Sequence, residues 1–187
     1  MSEKNHQAEN LIAEARKNKT TELHLSFLGL KQIPESVFSL TQLEILILSG
    51  NELTSVSSQI AKLTKLHTLD IAGNILASLP EDISQLIQLE HLDLASNQLQ
   101  QLPEKLDQLS TLRYLDCFSN QLTSLPAALP KCKQLHTLRL GENELKKLPE
   151  EIGSLRNLRL LDISNNNLEK LPISIIKLTQ LEEIHLI

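Results

Sequence analysis

The sequence predicts a right-handed α/β solenoid. Short parallel strands stack into one sheet on a concave face, short helical or 3-10 turns line the convex face, and a helix caps the N-terminus. Three observations predict it. Asparagines fall at Asn51, Asn74, Asn97, Asn120, Asn143 and Asn166, every step being 23 residues. Leucines keep the same step at Leu43, Leu66, Leu89, Leu112, Leu135, Leu158 and Leu181. A Leu-Pro pair recurs in frame at 79–80, 102–103, 125–126, 148–149 and 171–172. Self-similarity at a period of this length marks an architecture of stacked repeats.

The elements follow in chain order. In QAENLIAEARKN, Ala8, Leu11, Ile12 and Ala15 are spaced i, i+3, i+4, i+7, which is a single apolar stripe of a helix. A terminal coil of a solenoid exposes core unless something covers it, so this helix, expected over Gln7–Lys17, is assigned to the cap. Residues 1–19 form the capping segment and 20–187 the repeat domain, about eight units with the last one truncated.

Within each unit the segment x-L-x-L-x alternates with period two, so it is a short strand with its leucines turned inward. One such strand cannot bury its apolar face alone; stacked units build a parallel sheet over a continuous core. After each Leu-Pro comes a segment such as PEDISQL or PEEIGSL. Proline suits the start of a helical turn and acidic residues suit its N-terminal dipole. Ile83 and Leu86 then share one face of that turn.

Two units depart from the pattern. Leu28 stands in the first asparagine slot, so the asparagine column starts one unit later. Val56-Ser57 replaces Leu-Pro, which predicts a looser convex turn there, because serine does not preset φ. At the far end LTQLEEIHLI stops inside its own strand. An open parallel edge of this kind invites pairing. The expectation is either a homodimer through the C-terminal edge strand or a unit cut from a larger protein.

Composition bounds the chemistry. Hydrophobic residues are 41% and aromatic residues only 2%, so the core is aliphatic and each ring is worth locating. A net charge of −5 gives no general attraction to phosphate backbones or anionic lipid, so neither nucleic acid nor membrane is expected as a partner. The N-terminus lacks the apolar run of a secretory signal. The two cysteines, Cys117 and Cys132, stand in leucine slots as small hydrophobes, which fits a reducing, cytoplasmic setting.

The candidate site is on the outward positions of the strands. One concave column runs Glu22, Ile45, Thr68, His91, Tyr114, Thr137, Leu160 and Glu183; the next runs His24, Ile47, Asp70, Asp93, Asp116, Arg139, Asp162 and His185. A third carries Phe118 where neighbouring units have Ser, Ala or Gly. With strands about 4.8 Å apart, eight of them offer a surface roughly 35 Å long, enough for an extended peptide, a helix or a domain edge.

Tyr114 and Phe118, beside His91, are candidate aromatic anchors. Asp70, Asp93 and Asp116 form an acidic strip for a basic partner, with Arg139 offsetting part of it. Ile45 and Ile47 form a second apolar patch, open to a partner or to a terminal extension. No nucleophile, glycine-rich phosphate loop or paired-histidine metal motif accompanies these residues, so no catalytic residue, metal ligand or cofactor is assigned.

The unit L-x-x-L-x-x-L-x-L-x-x-N-x-L-x-x-L-P-x-x-I/L-x-x, matched from about Thr20 to Ile187, resembles the intracellular 23-residue leucine-rich repeat proteins. These include the repeat domains of Roco GTPases, plant Ras-group leucine-rich repeat proteins and many bacterial proteins. The resemblance implies a horseshoe with the sheet on its concave side. It implies that Asn51, Asn74, Asn97, Asn120, Asn143 and Asn166 form a ladder bonded to the backbone of adjacent coils. It also implies non-enzymatic protein–protein recognition on the concave face, often scaffolding or signalling. No GTPase loop is present, so Roco-type catalysis is not carried over. Two further settings follow: a repeat segment of a larger signalling protein, or a bacterial effector acting on host proteins.

Overall fold

A computed structural model describes residues 3–187. The first two residues of the expected capping segment lie outside them. The helix α1 spans Glu3–Asn18, longer than the expected Gln7–Lys17 at both ends. Eight strands follow: β1 (Glu22–His24), β2 (Ile45–Ile47), β3 (Thr68–Asp70), β4 (His91–Asp93), β5 (Tyr114–Asp116), β6 (Thr137–Arg139), β7 (Leu160–Asp162) and β8 (Glu183–His185). They make one parallel sheet in simple sequence order. The register advances by one whole repeat per strand, so His91 faces Tyr114 and Asp116 faces Arg139. Side chains one repeat apart therefore stand side by side, and the columns read from the sequence are columns in space.

The leucine at the centre of each strand from β2 to β7 is fully buried, as are Ile83 and Leu86 behind the sheet. The result is one core running from Ala8 to Leu178, aliphatic apart from the buried ring of Phe38 and the two cysteines. Stacking is what buries it, since no coil has a second face of its own. Ala8, Ile12 and Ala15 of α1 are buried and Leu11 is half-buried against the first coil. No helix among the described residues is long and apolar enough to cross a membrane.

The convex connections are 3-10 helices of three to five residues, such as Glu35–Ser39, Glu81–Gln85 and Ile173–Lys177. Pro34, Pro80 and Pro172 immediately precede them with φ of −56°, −70° and −65°. The looser turn expected at Ser57 does not occur. Ser57 takes φ −65° and ψ 143°, and its hydroxyl accepts the Gln59 N–H at 3.3 Å. The side chain caps the turn that proline presets elsewhere, and a 3-10 helix of the same length, Ser58–Lys62, follows.

A second column was not legible in the sequence. The residue just before each asparagine slot is left-handed: Phe27, Gly50, Gly73, Ser96, Ser119, Glu142 and Asn165 all have φ between 48° and 67°. Each coil needs one such residue to turn out of its strand. Non-glycine residues there cost roughly 1–2 kcal/mol each.

In every coil but the first, where Leu28 follows Phe27, the next residue is an asparagine that ties the turn down. Asn120 Nδ2 donates to Leu94 O at 3.0 Å in the preceding coil and to Cys117 O at 3.1 Å in its own, while its Oδ1 accepts Leu99 N–H at 3.0 Å. Asn74, Asn97, Asn143 and Asn166 repeat this pattern, and Asn51 accepts from both Leu28 and Leu30. The first coil, with Leu28 in the asparagine slot, is thus served by its neighbour. At the other end β8 pairs only with β7 among the described residues, and Ile184, Leu186 and Ile187 are exposed.

Candidate functional site

The strand residues alternate in direction, so every second side chain points to the concave side, although Asp116 and Asp162 on that side are buried beneath their neighbours. The structure brings His91, Tyr114, Asp116, Phe118 and Arg139 into direct contact and leaves Ile45, Ile47, Asp70 and Asp93 beside them. The His91 and Tyr114 rings stack at 4.0 Å with 3° between their planes. Tyr114 Oη donates to Asp116 Oδ2 at 3.0 Å. Arg139 Nη1 donates to the same oxygen at 3.0 Å, and Arg139 Nε lies 3.8 Å from Asp162 Oδ2. The guanidinium stands 5.2 Å from the centre of the Phe118 ring, within cation–π range.

The aromatic residues are therefore not free anchors. Both rings are half-buried, and each is held by a partner within the protein. Phe118 lies over Gly141: a Cβ there would come within 2.9 Å of the ring and 2.8 Å of Asp162 Oδ1. The Phe118 and Gly141 outliers in one concave column are one feature, a ring and the hollow that accepts it.

The acidic column has a structural duty as well. Asp70, Asp93, Asp116 and Asp162 each direct Oδ1 to the N–H two residues on, in Ala72, Ala95, Phe118 and Ser164, at 2.8–3.1 Å. These bonds cap the C-terminal ends of β3, β4, β5 and β7. What distinguishes the four carboxylates is the other oxygen. In Asp116 and Asp162, both 2% exposed, it faces Arg139. In Asp70 and Asp93 it has no hydrogen-bond or ion-pair partner among the described residues.

Burial, with Asp116 and Asp70 nearby, pushes Asp93 up to about 6, against the lowering by the Ala95 N–H and Arg139. Burial also lowers His91, although Asp70 and Asp116 pull it the other way. Tyr114 is pushed up to about 12 by burial and by Asp116, so it remains a hydrogen-bond donor.

Cys117 and Cys132 are free and buried. Burial raises the Cys117 thiol well above its ordinary value and Cys132 to about 12, the latter with help from Asp107. Neither is a thiolate nucleophile at neutral pH.

Asp162 completes the arginine's pairing, from the place beside Arg139 that the repeat frame gives it. Two participants were not singled out from the sequence: Gly141 seats Phe118, and Phe27 stands 76% exposed at the N-terminal end of the face. Phe27 had a readable signal: it is a ring in a slot that other coils fill with Gly, Ser, Glu or Asn.

The architecture has known counterparts. A family model described as a leucine-rich repeat region matches residues 17–129 and 117–187. A leucine-rich repeat protein of Leptospira interrogans is 30% identical over 92% of this chain and 56% of its own, with a TM-score of 0.72. An internalin (inlF) of Listeria monocytogenes is 26% identical over 82% of this chain and 44% of its own, with a TM-score of 0.72. The plant peptide hormone receptor RGFR1, solved in complex with RGF2, is 33% identical over 83% of this chain and 26% of its own, with a TM-score of 0.74. This chain thus spans about half the length of the two bacterial proteins or less. No curated protein matches it significantly. On the matched repeats and the asparagine-laddered parallel sheet, the chain belongs to the leucine-rich repeat family.

Proposed function

We propose that this chain is a non-enzymatic interaction module that holds a segment of a protein partner on the concave face of its sheet. The supporting observation is the continuity of outward side chains from Ile45 and Ile47 through Asp70, His91 and Asp93 to Tyr114, Phe118 and Arg139, one strand after another, with the buried Asp116 holding Tyr114 and Arg139 in place. The family's fold generally serves interaction rather than catalysis, and RGFR1 carries a bound partner. The two free cysteines suit a reducing, cytoplasmic setting, to be checked by cell fractionation. Affinity capture from the native lysate tests the reading. Tyr114→Ala with Phe118→Ala loses the partner that the wild type captures, with the circular dichroism spectrum retained; unchanged capture by the folded double variant refutes the site.

Two finer readings rest on separate observations. The greater length of the bacterial counterparts favours work within a larger signalling protein, which the full reading frame would decide. The exposed Ile184 and Leu186 on and beside β8 favour edge-to-edge pairing of two copies. Light scattering that finds only monomer at high concentration rules that pairing out.

A further inference from the structure

We propose that the N-terminal half of the concave face, from Phe27 to Asp93, seats an extended segment of a partner protein carrying a basic side chain two residues from an apolar one. The inference rests on the concave-face reading above and narrows it to one half of the face and one ligand chemistry.

The two halves differ in how their charges are satisfied. From β5 onward Asp116 and Asp162 share Arg139, and Tyr114 adds its hydroxyl to Asp116. That network is complete without a partner. On β3 and β4, Asp70 and Asp93 are register neighbours. Each spends Oδ1 on a backbone N–H, and the outer oxygens face the concave side with no cation beside them among the described residues. A lysine or arginine from outside would supply for this pair what Arg139 supplies for the other.

The same half carries the apolar surface. Ile45 and Ile47 are only half-buried on β2, one strand from Asp70. In line with them is Phe27, left-handed at φ 58° and 76% exposed. Its ring lies over Gly50, where a Cβ would come 2.2 Å from Phe27 Cε1. Gly73 continues the strip in the next coil, and its added Cβ would meet only Gly50 backbone, at 3.4 Å or more. The contact with Gly50 covers one side of the ring and leaves Phe27 76% exposed in a strained backbone conformation, and contact with another molecule would bury the rest.

Geometry sets the spacing. From β2 to midway between β3 and β4 is about one and a half strand spacings, roughly 7 Å. Same-side residues i and i+2 of an extended chain are also about 7 Å apart. A segment crossing the strands thus places an apolar residue on Ile47 and a basic residue two positions later between Asp70 and Asp93. The upward pull on Asp93 from burial and from Asp116 and Asp70 is what an incoming cation would relieve.

The test uses a random peptide library displayed on phage, panned against the wild type. The most enriched peptide is then synthesised and titrated against variants. Asp70→Asn with Asp93→Asn keeps the Oδ1 acceptors of the strand caps, and Phe27→Asn uses the residue that fills the same left-handed slot at 165. The expected result is enrichment of Lys or Arg two residues from an aliphatic or aromatic residue. Affinity falls roughly tenfold or more for each variant, with unchanged circular dichroism.

Enriched peptides lacking a basic residue, acidic peptides, or binding indifferent to these variants overturn the proposal. If only Tyr114→Ala with Phe118→Ala abolishes binding, the concave-face reading survives and this inference falls. If no peptide is enriched, or no variant in either half matters, both fall. If sedimentation shows that Phe27→Asn dissociates a self-associated wild type, the occupant is a second copy, and the proposal is likewise overturned.

Discussion

The two halves of the concave sheet use the same residue for different ends. In the C-terminal half, Asp116 and Asp162 are buried and share Arg139. In the N-terminal half, Asp70 and Asp93 make the same strand-capping bond and stop there. Two neighbouring like charges at about 5 Å repel by on the order of 1 kcal/mol even in water, and among the described residues only the more distant Arg139 and the Ala95 N–H offset part of it at Asp93. The difference teaches that a repeat column is not a uniform surface. One arginine in the frame converts part of an acidic strip into internal structure and leaves the rest available.

Removing that arginine is the largest perturbation. Arg139→Ala strands two carboxylates that are 2% exposed, and it should cost about 3 kcal/mol, the low end for breaking a buried pair because the guanidinium itself is partly solvated. Urea denaturation would measure it; a loss under about 1 kcal/mol would mean the network is no tighter than a surface pair. Gly141→Ala comes next, because its Cβ meets Phe118 and Asp162. A loss of about 1–2 kcal/mol is expected, and it should shrink when Phe118→Ala is added. A double-mutant cycle with no coupling would show that the ring is not seated on the glycine.

Tyr114→Phe removes one of the two donors to Asp116 Oδ2. It should cost about 1 kcal/mol and leave the His91 stack intact, which melting temperature and amide hydrogen exchange at β5 would report.

The smallest effect has the opposite sign and belongs to the other half. Asp93 titrates at about 6 folded against 3.8 for an ordinary aspartate. The folded state therefore holds the proton more tightly, and the charged form is a burden above pH about 6 that fades as pH falls toward the unfolded value. Asp93→Asn should raise the melting temperature slightly at pH about 7.5, with the gain shrinking by pH about 5. A variant that is less stable at pH about 7.5 would mean that the Asp93 charge is compensated. The same titration predicts that any cationic ligand of Asp93 weakens as pH falls through about 6.

Much of this molecule is legible in its sequence because repetition amplifies weak signals. One strand of three residues would be uncertain, but six asparagines and seven leucines in a common frame leave no other architecture that buries them. The same frame gives the facing direction of every residue from β1 to β8. It places His91, Tyr114, Asp116, Phe118 and Arg139 on one surface, because parallel register preserves the repeat spacing. The Ser57 turn was misread because φ depends on whether a side chain can cap, and the capping bond to Gln59 lies outside a rule written for proline. The left-handed column was missed because its occupants range from Gly50 to Phe27 and share conformation rather than composition.

Taken alone, the sequence determined the period, the sheet, the buried leucines and the concave columns, since each follows from which residues must leave water. Tertiary structure decided which outward residues are already spoken for. Hydrogen-bond direction and charge pairing depend on distances of a few tenths of an ångström between neighbouring coils, and the residue alphabet does not encode them. Asp93 and Asp116 are the same letter in the same frame. Only the position of Arg139, bonded at 3.0 Å to Asp116 and not to Asp93, makes one of them a structural bond and leaves the other open to a partner.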